Sequence, residues 1–171
     1  MTAKRRTATE AEARALASAT RLRILRLCLD RALTNKEIAQ RLDANPATTL
    51  HHVRTLVATG FLAAEQPRRG TRGAREVPYR ATRKSWTLKL RDDGLPNPNQ
   101  AIIDAYLQEM RLINPEQAHT FRLGLRLTVA ERAELLQRIA DLLDQYATRA
   151  PSADGDPYSL FVSVHPDVAR D

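Results

Sequence analysis

The strongest pattern along the chain is a pair of helical apolar stripes separated by a short polar break. Thr34 and Glu37 have the spacing of a capping box, which predicts that the first helix begins there. Asn45 and Pro46 suit the N-cap and first turn of the second helix, and Gly60 suits its C-terminal end. The apolar stripes are Ile38, Ala39 and Leu42 in the first helix, and Leu50, Val53, Leu56 and Val57 in the second.

Opposite its apolar stripe, the second predicted helix has a short polar face. At about 100° per residue, that face consists of Thr48, His51, His52, Thr55 and Thr59, with Arg54 at its edge. Small donors and acceptors without a carboxylate suit a helix that reads base edges in the major groove of DNA. The alternative interpretation is an ordinary surface helix of a small helical protein.

Two further helices are predicted upstream of this pair. The first runs from about Glu10 to Ala17, and Ser18 caps the second. The second is apolar enough to lie in the core, since it contains Leu22, Ile24, Leu25, Leu27, Cys28 and Leu29. Residues 1–9 are basic and are predicted to form a disordered arm.

A basic hairpin is predicted directly after the polar-faced helix. Short apolar segments at 61–66 and 79–82 indicate two strands, and the loop between them contains Gly and Pro. A hairpin in this place is typical of a wing, whose arginines enter a minor groove or contact phosphates. A solvated loop is the alternative. The arginines of the loop are Arg68, Arg69, Arg72 and Arg75.

The rest of the chain predicts a small α+β unit. Alternating apolar residues indicate a strand at 85–90, and a linker rich in turn residues follows at 92–99. We therefore predict a winged helix–turn–helix domain at 10–91, followed by a small α+β dimerisation or ligand-sensing domain at 92–171. The further elements are a helix at 100–113, a strand at 119–127, a helix from the Thr128–Glu131 capping box to about Thr148, and a strand at 158–165.

Charge divides the chain at the same place. The 171 residues carry a net charge of +7. Residues 1–91 contain 20 Lys/Arg and 7 Asp/Glu, a net charge of +13, whereas residues 92–171 contain 7 and 13, a net charge of −6. A basic half with a helix–turn–helix pattern and an acidic half without one indicate that the first half meets a polyanion and the second does not.

Motifs for other chemistry are missing from the sequence. Cys28 is the only cysteine, which excludes a disulfide within the chain, and we interpret it as a core residue rather than a redox sensor. Adjacent His51 and His52 point in different directions, so we interpret them as DNA-contacting or structural rather than metal-binding. His119 and His165 are interpreted as surface residues at strand ends, with a shared metal as the alternative.

No cofactor, metal or enzymatic activity is predicted. The chain has no Gly-rich phosphate loop and no His-Glu-x-x-His spacing. No stretch approaches the roughly 18 apolar residues that a membrane span needs. We therefore expect a cytoplasmic protein without a membrane partner.

A longer set of residues in a fixed order carries a family resemblance. The set is Leu16-Ala17, Thr20 to Leu25, Leu33-Thr34, Glu37 to Ala39, Leu42, Pro46 to Thr48, His52-Val53, Leu56, Gly60 to Leu62 and Tyr79-Arg80. Over residues 14–82 the chain thereby resembles the ArsR-like (arsenical-resistance repressor) winged-helix family of bacterial regulators. The resemblance implies a homodimer, a pseudopalindromic operator in double-stranded DNA, and repression that a bound effector relieves.

The resemblance places the recognition helix at Pro46–Thr59 and the wing at 66–78. Leu50 stands where the family often has a DNA-contacting Ser, so this contact is expected from a neighbouring Thr or from His51. The family's cysteine metal motif is missing from the helix at 34–42, and its carboxylate–histidine zinc pattern is missing after the wing, so metal sensing is not expected. The residues expected to contact DNA are Lys36, Thr48, Thr49, His51, His52, Arg54, Thr55, Arg68, Arg69, Arg72 and Arg75.

A small organic effector is the remaining expectation. The missing metal ligands and the apolar structure beyond residue 91 motivate a site between helices and sheet near Trp86, Tyr106 and Phe121. One alternative is an interaction module whose winged helix binds protein or nucleic acid without sequence specificity. Another is an enzyme built on the α+β half, which would need a pocket with paired titratable groups. The N-terminal helix, the helix at 100–113 and the last strand all stay open as dimer contacts.

Overall fold

A computed structural model describes residues 5–70, 73–89 and 98–170 of the chain. Residues 1–4 of the predicted arm, Arg72 of the predicted wing and most of the predicted linker lie outside the described residues. The chain divides into two compact units, of which one spans 4–112 and the other lies essentially within 113–171. None of the described helices is both long and apolar enough to cross a membrane.

The first unit begins with two short helices whose caps follow the sequence. Helix α1 spans Glu10–Leu16, and Thr9 forms a capping box with Glu12. Helix α2 spans Ala19–Leu27, and the side chain of Ser18 accepts a hydrogen bond from its first turn. Both helices were predicted to begin at these positions, and α2 ends at Leu27 rather than continuing to Arg31 as predicted.

The predicted helix pair is present with the predicted turn. Helix α3 spans Asn35–Leu42 and begins at a complete capping box between Thr34 and Glu37. Asp43 takes the left-handed conformation that ends α3, with φ of 50°. Helix α4 spans Pro46–Ala58 behind the N-cap Asn45, and Gly60 follows it at φ of +72°. Each of these features is local, which is why sequence spacing alone predicted it.

A small antiparallel sheet supports the helix pair and extends into a hairpin. Its three strands are β2 (Leu33–Thr34), β3 (Leu62–Ala64) and β6 (Pro78–Ala81), in the order β2-β6-β3. Between β3 and β6, strands β4 (Arg68–Arg69) and β5 (Arg75–Glu76) pair with each other. This hairpin directly after α4 is the predicted wing.

Part of the predicted arm is ordered. Strand β1 (Arg6–Thr7) pairs in parallel with β7 (Leu88–Lys89), and the backbone N–H of Ala8 donates to the carbonyl of Lys89 at 2.9 Å. The prediction of disorder was therefore wrong for the described residues 5–9. It missed this pairing because the partner strand lies about eighty residues away in sequence.

The predicted strand at 85–90 was also wrong over most of its length. Lys84–Thr87 form a 3₁₀ helix, and among the described residues 85–89 only Leu88 and Lys89 are extended. The backbone turns at Arg83, which has a φ of 60°, and the hydroxyl of Thr87 donates to the carbonyl of Lys84 at 2.8 Å. Alternation of apolar residues resembled a strand here because Trp86 and Leu88 are two residues apart.

The core of the first unit joins the helix pair to the sheet. Ile24, Ile38, Val53, Leu56 and Phe61 are all at most 1% exposed. Cys28 lies in the same cluster, and burial raises the pKa of its thiol to about 11. A neutral, enclosed thiol confirms the interpretation of Cys28 as a core residue.

One further helix belongs to the first unit. Helix α5 spans Pro98–Met110 and packs against α1 and α2, with Ala101 and Ala105 buried. The compact unit therefore continues beyond the boundary predicted at residue 92. The division of function between 10–91 and 92–171 stays a prediction. The outer face of α5 leaves Ile102, Ile103 and Leu107 exposed.

The second unit contains one long helix and irregular segments. Helix α6 spans Val129–Ala147 and starts at the predicted capping box of Thr128 and Glu131. The predicted strands at 119–127 and 158–165 are not formed among the described residues, and none of residues 113–170 is buried. Alternation specifies an amphipathic extended segment, but a strand also requires a neighbour for its backbone hydrogen bonds.

Candidate nucleic-acid interface

The exposed face of α4 is polar and free of carboxylates. Thr48, His51 and Arg54 are exposed, and Thr55 lies half-buried beside them. Pro46–Ala58 contain no Asp or Glu. The hydroxyl of Thr55 donates to the carbonyl of His51 at 3.1 Å, which leaves Thr48, His51 and Arg54 as the side chains with the most freedom to reach a ligand.

Thr49 corrects the predicted set of DNA contacts. It is 1% exposed, and its hydroxyl donates to the carbonyl of Asn45 at 2.9 Å. Thr49, Val53 and Leu56 follow the spacing i, i+4 and i+7 and form the buried face of α4. Val57, which was predicted to be part of the apolar stripe, is 37% exposed instead. Thr49 therefore stabilises the first turn of α4 and does not face DNA.

His52 lies at the margin of the exposed face. It is half-buried, and its Nδ1 atom is enclosed without a hydrogen-bond partner in the described part of the chain. Burial lowers the pKa of His52, and the nearby charges of Arg21 and His51 lower it further. The ring is therefore neutral at pH 7, and it packs edge-on against His51 with the ring centroids 5.9 Å apart.

The described wing arginines have two different roles. Arg68 lies opposite Glu76 in the hairpin, and its Nη2 atom also donates to both carboxylate oxygens of Glu37 at 2.9 Å. Arg69 and Arg75 lie directly opposite each other, and both are exposed. Arg68 thus fastens the wing to the start of α3, whereas Arg69 and Arg75 are the pair available to an anion.

Glu37 connects the capping box to the wing. Its carboxylate accepts the backbone N–H of Thr34 at 2.7 Å as well as the Arg68 guanidinium. The hydrogen bond from the Thr34 backbone is the main cause of a lowered pKa for Glu37, with Arg68 contributing. Lys36 beside it is exposed, as the prediction of a phosphate contact requires.

Two contacts that the sequence did not suggest hold α4 in place. At its start, the side-chain amide of Asn35 donates to the carbonyl of Pro46 at 2.9 Å. At its end, the ammonium of Lys84 donates to the carbonyl of Thr59 at 2.5 Å. A side chain from α3 and one from the 3₁₀ helix after the wing therefore fix both ends of α4.

Lys84 is part of a charge cluster around a buried carboxylate. Glu12 is 5% exposed, and its carboxylate contacts Arg6 and Lys84 at 2.6 Å each. It also accepts the backbone N–H of Thr9 at 2.8 Å. The hydrogen bond from Arg6 is the largest cause of a Glu12 pKa far below its usual range. No spacing rule predicts this cluster, because its members come from three separate segments.

Several other arginines are engaged in structure. Arg21 donates to the carbonyls of Ala15 at 2.5 Å and Arg14 at 2.6 Å, which caps α1. Arg80 forms an ion pair with Glu65 and donates to the carbonyl of Asp30 at 3.0 Å. Part of the positive charge of the first half is therefore already used in contacts within the protein.

The three residues predicted to bind an effector lie in different units, with Trp86 and Tyr106 in the first and Phe121 in the second. Phe121 is 97% exposed. Trp86 is 40% exposed, and the Arg5 guanidinium lies over its ring at 4.6 Å from the centroid. Tyr106 is half-buried on α5. The effector site near these three residues stays a prediction.

The described residues also contain no group of three or more His, Cys, Asp or Glu side chains placed to hold a metal ion. His119 and His165 are both exposed, and the Nδ1 atom of His165 lies 2.9 Å from the carbonyl of Pro166.

Comparison with known proteins agrees with this geometry. The model of a helix–turn–helix domain family matches residues 16–64. No curated protein matches the chain. Among solved structures, HlyU of Vibrio cholerae is 20% identical, with 58% of this chain and 84% of HlyU covered at a TM-score of 0.35.

Two other solved structures are similar at the same level. The homodimeric winged helix–turn–helix domain of Mb0332 from Mycobacterium bovis, described as a possible ArsR-family transcriptional regulator, is 22% identical. It covers 64% of this chain and 82% of its own length at a TM-score of 0.33. A mutant of Lactococcus lactis ZitR in its apo form is 22% identical, with coverage of 78% and 86% and a TM-score of 0.34. Likeness this distant transfers no binding property to the chain.

The family match and the fold together define a domain. Residues 16–64 match the model of the helix–turn–helix domain family, and the hairpin between β3 and β6 gives the domain a wing. The match lies within residues 14–82, the region whose residues carry the resemblance to the ArsR-like regulators.

Proposed function

We propose that the chain is a homodimeric, sequence-specific transcription repressor that acts in the cytoplasm and is released from its operator by an effector other than a metal ion. The observation that carries the proposal is the exposed face of α4. Thr48 and His51 there are polar and exposed, and α4 contains no carboxylate that would repel phosphates.

The parts of the domain would divide the work of binding. Helix α4 would enter the major groove, where Thr48 and His51 reach base edges and Arg54 reaches the groove wall. Arg69 and Arg75 of the wing, with Lys36 at the start of α3, would contact phosphates and supply the salt-dependent part of the affinity. Arg72 is proposed as a further wing contact.

Dimerisation would set the form of the operator. Two copies related by a two-fold axis present two α4 helices to half-sites about 34 Å apart, one turn of DNA. The operator would then be an inverted repeat. Repression and its relief by an effector come from the ArsR-like resemblance, and the missing metal motifs favour an organic effector.

Selection of duplexes from a random pool tests sequence specificity. The purified protein should enrich an inverted repeat and should bind it at least about 1,000-fold more tightly than random duplex at physiological salt. Binding to the enriched site is then titrated against salt and against a panel of small molecules. If no site is enriched and binding only fades as salt rises, the chain is an interaction module without sequence specificity.

A further inference from the structure

Residues 113–170 have the sequence pattern of a folded domain without its burial. Every one of these residues is described, and none is buried. A domain of about 60 residues usually buries about 60% of the surface that its unfolded chain exposes. The unit therefore lacks the partner surface that its apolar residues require.

The exposed apolar residues lie on two extended segments of period two and on α6. We name 119–127 the first extended segment and 158–165 the second. Phe121 and Tyr158 are 97% and 88% exposed. The other apolar residues of the two segments that are exposed are Leu123, Leu125, Leu127, Leu160, Val162 and Val164. On α6, Leu142 and Tyr146 are exposed as well.

The area of this surface is that of an interface. Each aromatic side chain contributes roughly 150–250 Å² when it is covered. Three exposed aromatic residues and nine exposed aliphatic ones on these elements, with Val129 and Leu136 of α6 included, therefore approach the roughly 800 Å² that each partner of a stable complex buries. Monomeric proteins rarely leave an apolar surface of this size open to water.

We propose that a second copy of this chain covers this surface, so that the two extended segments of each copy pair into one intermolecular sheet under the two α6 helices. This inference rests on the proposed homodimer and specifies where it is held together. The α+β unit predicted from the sequence would then be complete only in the dimer.

The number of elements favours a second copy over closure within one chain. One copy supplies two extended segments and one helix, and a two-stranded sheet is marginally stable at best. Two copies supply four strands and two helices, which is enough for a two-layer unit with a shared core. In the described chain, neither extended segment is assigned as a strand, although both have a strand's alternation.

Charge also favours self-association. The first extended segment has Arg122 and Arg126 on its polar face and no acidic residue. Helix α6 carries four acidic residues against Arg132 and Arg138. The arginines lie on the face opposite the apolar residues, and the two elements have opposite net charges. The first extended segment of one copy therefore meets no like-charge repulsion from α6 of the other copy.

Paired lysine substitutions in the full chain test the proposal. Phe121→Lys and Val162→Lys place a charge on the apolar face, whereas Thr120→Lys and Ser163→Lys place the same charge on the polar face of the same segments. Sedimentation equilibrium should show dimers for the native chain and for the two controls. The first pair should weaken dimerisation by at least about 30-fold, the effect of losing one central interface residue.

The exposed position of Phe121 separates a loss of dimerisation from a loss of folding. Because Phe121 is almost fully exposed in the single chain, Phe121→Lys leaves the core of the first unit untouched. Its helical circular dichroism and its unfolding at high dilution should match those of the native chain. A monomeric native chain, or an equally tight Phe121→Lys dimer, would overturn the proposal.

Mixed isotope labelling tests the intermolecular pairing directly. In a one-to-one mixture of labelled and unlabelled copies, methyl groups of Leu123, Leu125 and Val162 should show nuclear Overhauser effects to the other copy. Effects within one copy only would mean that the chain closes on itself, which overturns the proposal.

Operator selection separates this inference from the proposed function. An enriched inverted repeat that the Phe121→Lys dimer binds as tightly as the native dimer would overturn the interface and keep the repressor. A dimer that Phe121→Lys dissociates, but that enriches no site, would overturn the repressor and keep the interface.

Discussion

The two units of this chain begin their helices with the same capping signals, but only the first unit has a buried core. Capping boxes start α1 and α3 in the first unit and α6 in the second. In the first unit the apolar stripes meet in a core whose central side chains are inaccessible to water, whereas none of the described residues 113–170 is buried. Local signals therefore define where an element begins, and only a facing surface decides whether it becomes part of a stable fold.

Two phenylalanines give the largest test of this difference. Phe61 is 1% exposed, so Phe61→Ala should lower the free energy of unfolding by about 3–5 kcal/mol, independently of protein concentration. Phe121→Ala should instead destabilise the chain by an amount that depends on concentration, because its partner surface belongs to another copy. Denaturant unfolding of both variants at several concentrations measures this. A concentration-independent loss for Phe121→Ala would mean that the second unit is complete in one chain.

The carboxylate of Glu12 should show how far the first unit depends on its own polar contacts. Glu12→Gln removes the charge that Arg6 and Lys84 contact, so we expect a loss of about 1.5–3 kcal/mol at pH 7. The pKa of Glu12 is lowered in the folded state, so its stabilisation is complete above the unfolded pKa of about 4.3 and is lost as pH falls further.

The pH dependence of the Glu12→Gln effect is the control. The stability difference between native chain and variant should be constant from about pH 7 to pH 5 and should shrink below about pH 4. A difference that persists unchanged at low pH would assign the effect to shape rather than to charge.

Histidines in the two units should differ in their effect on DNA specificity. His51→Ala in α4 should reduce discrimination between operator and random duplex by about 1–3 kcal/mol, and Thr48→Ala should act similarly. His119→Ala changes an exposed histidine of the second unit and should leave discrimination unchanged. Titrations of the operator and the random duplex at one salt concentration measure this discrimination. Equal losses on the two duplexes would remove Thr48 and His51 from the reading face.

Arginines give the smallest and most specific comparison. Arg75→Ala should lower the slope of log affinity against log salt by about 0.9, the value for one phosphate contact on duplex DNA. Arg132→Ala in α6 removes the same charge from the second unit and should leave the slope unchanged. Arg68→Ala should mainly loosen the wing, because Glu37 already neutralises this guanidinium. An unchanged slope for Arg75→Ala would mean that the wing does not touch phosphate.

Features that depend on residues close in sequence were predicted correctly, whereas features that depend on distant residues were not. The capping box at Thr34, the cap at Asn45 and the end of α4 near Gly60 depend on neighbouring residues, and all were predicted. The strands at 119–127 and 158–165 depend on a pairing partner, which the sequence pattern does not identify. The ordered Arg6–Thr7 strand was missed for the same reason.

The candidate site shows the same limit within a single helix. Helical spacing predicted the exposed positions of Thr48, His51 and Arg54, since an exposed position depends only on the helix itself. Thr49 was predicted to contact DNA because it is adjacent to Leu50. Its spacing of four residues from Val53 instead places it on the buried face of α4. The engagement of Arg68 with Glu37 joins residues 31 positions apart, so a list of wing arginines could not separate it from Arg75.

Because of the two facing arginines, the susceptibility of the wing to trypsin should depend on whether DNA is bound. Arg69 and Arg75 repel each other across the two strands while no anion lies near them. Trypsin cleaves after arginine, and Arg69 and Arg75 are both exposed on the hairpin of the free protein. A DNA phosphate near the pair would remove the repulsion and cover both sites, so the rate of tryptic cleavage at the wing would report when the domain is bound.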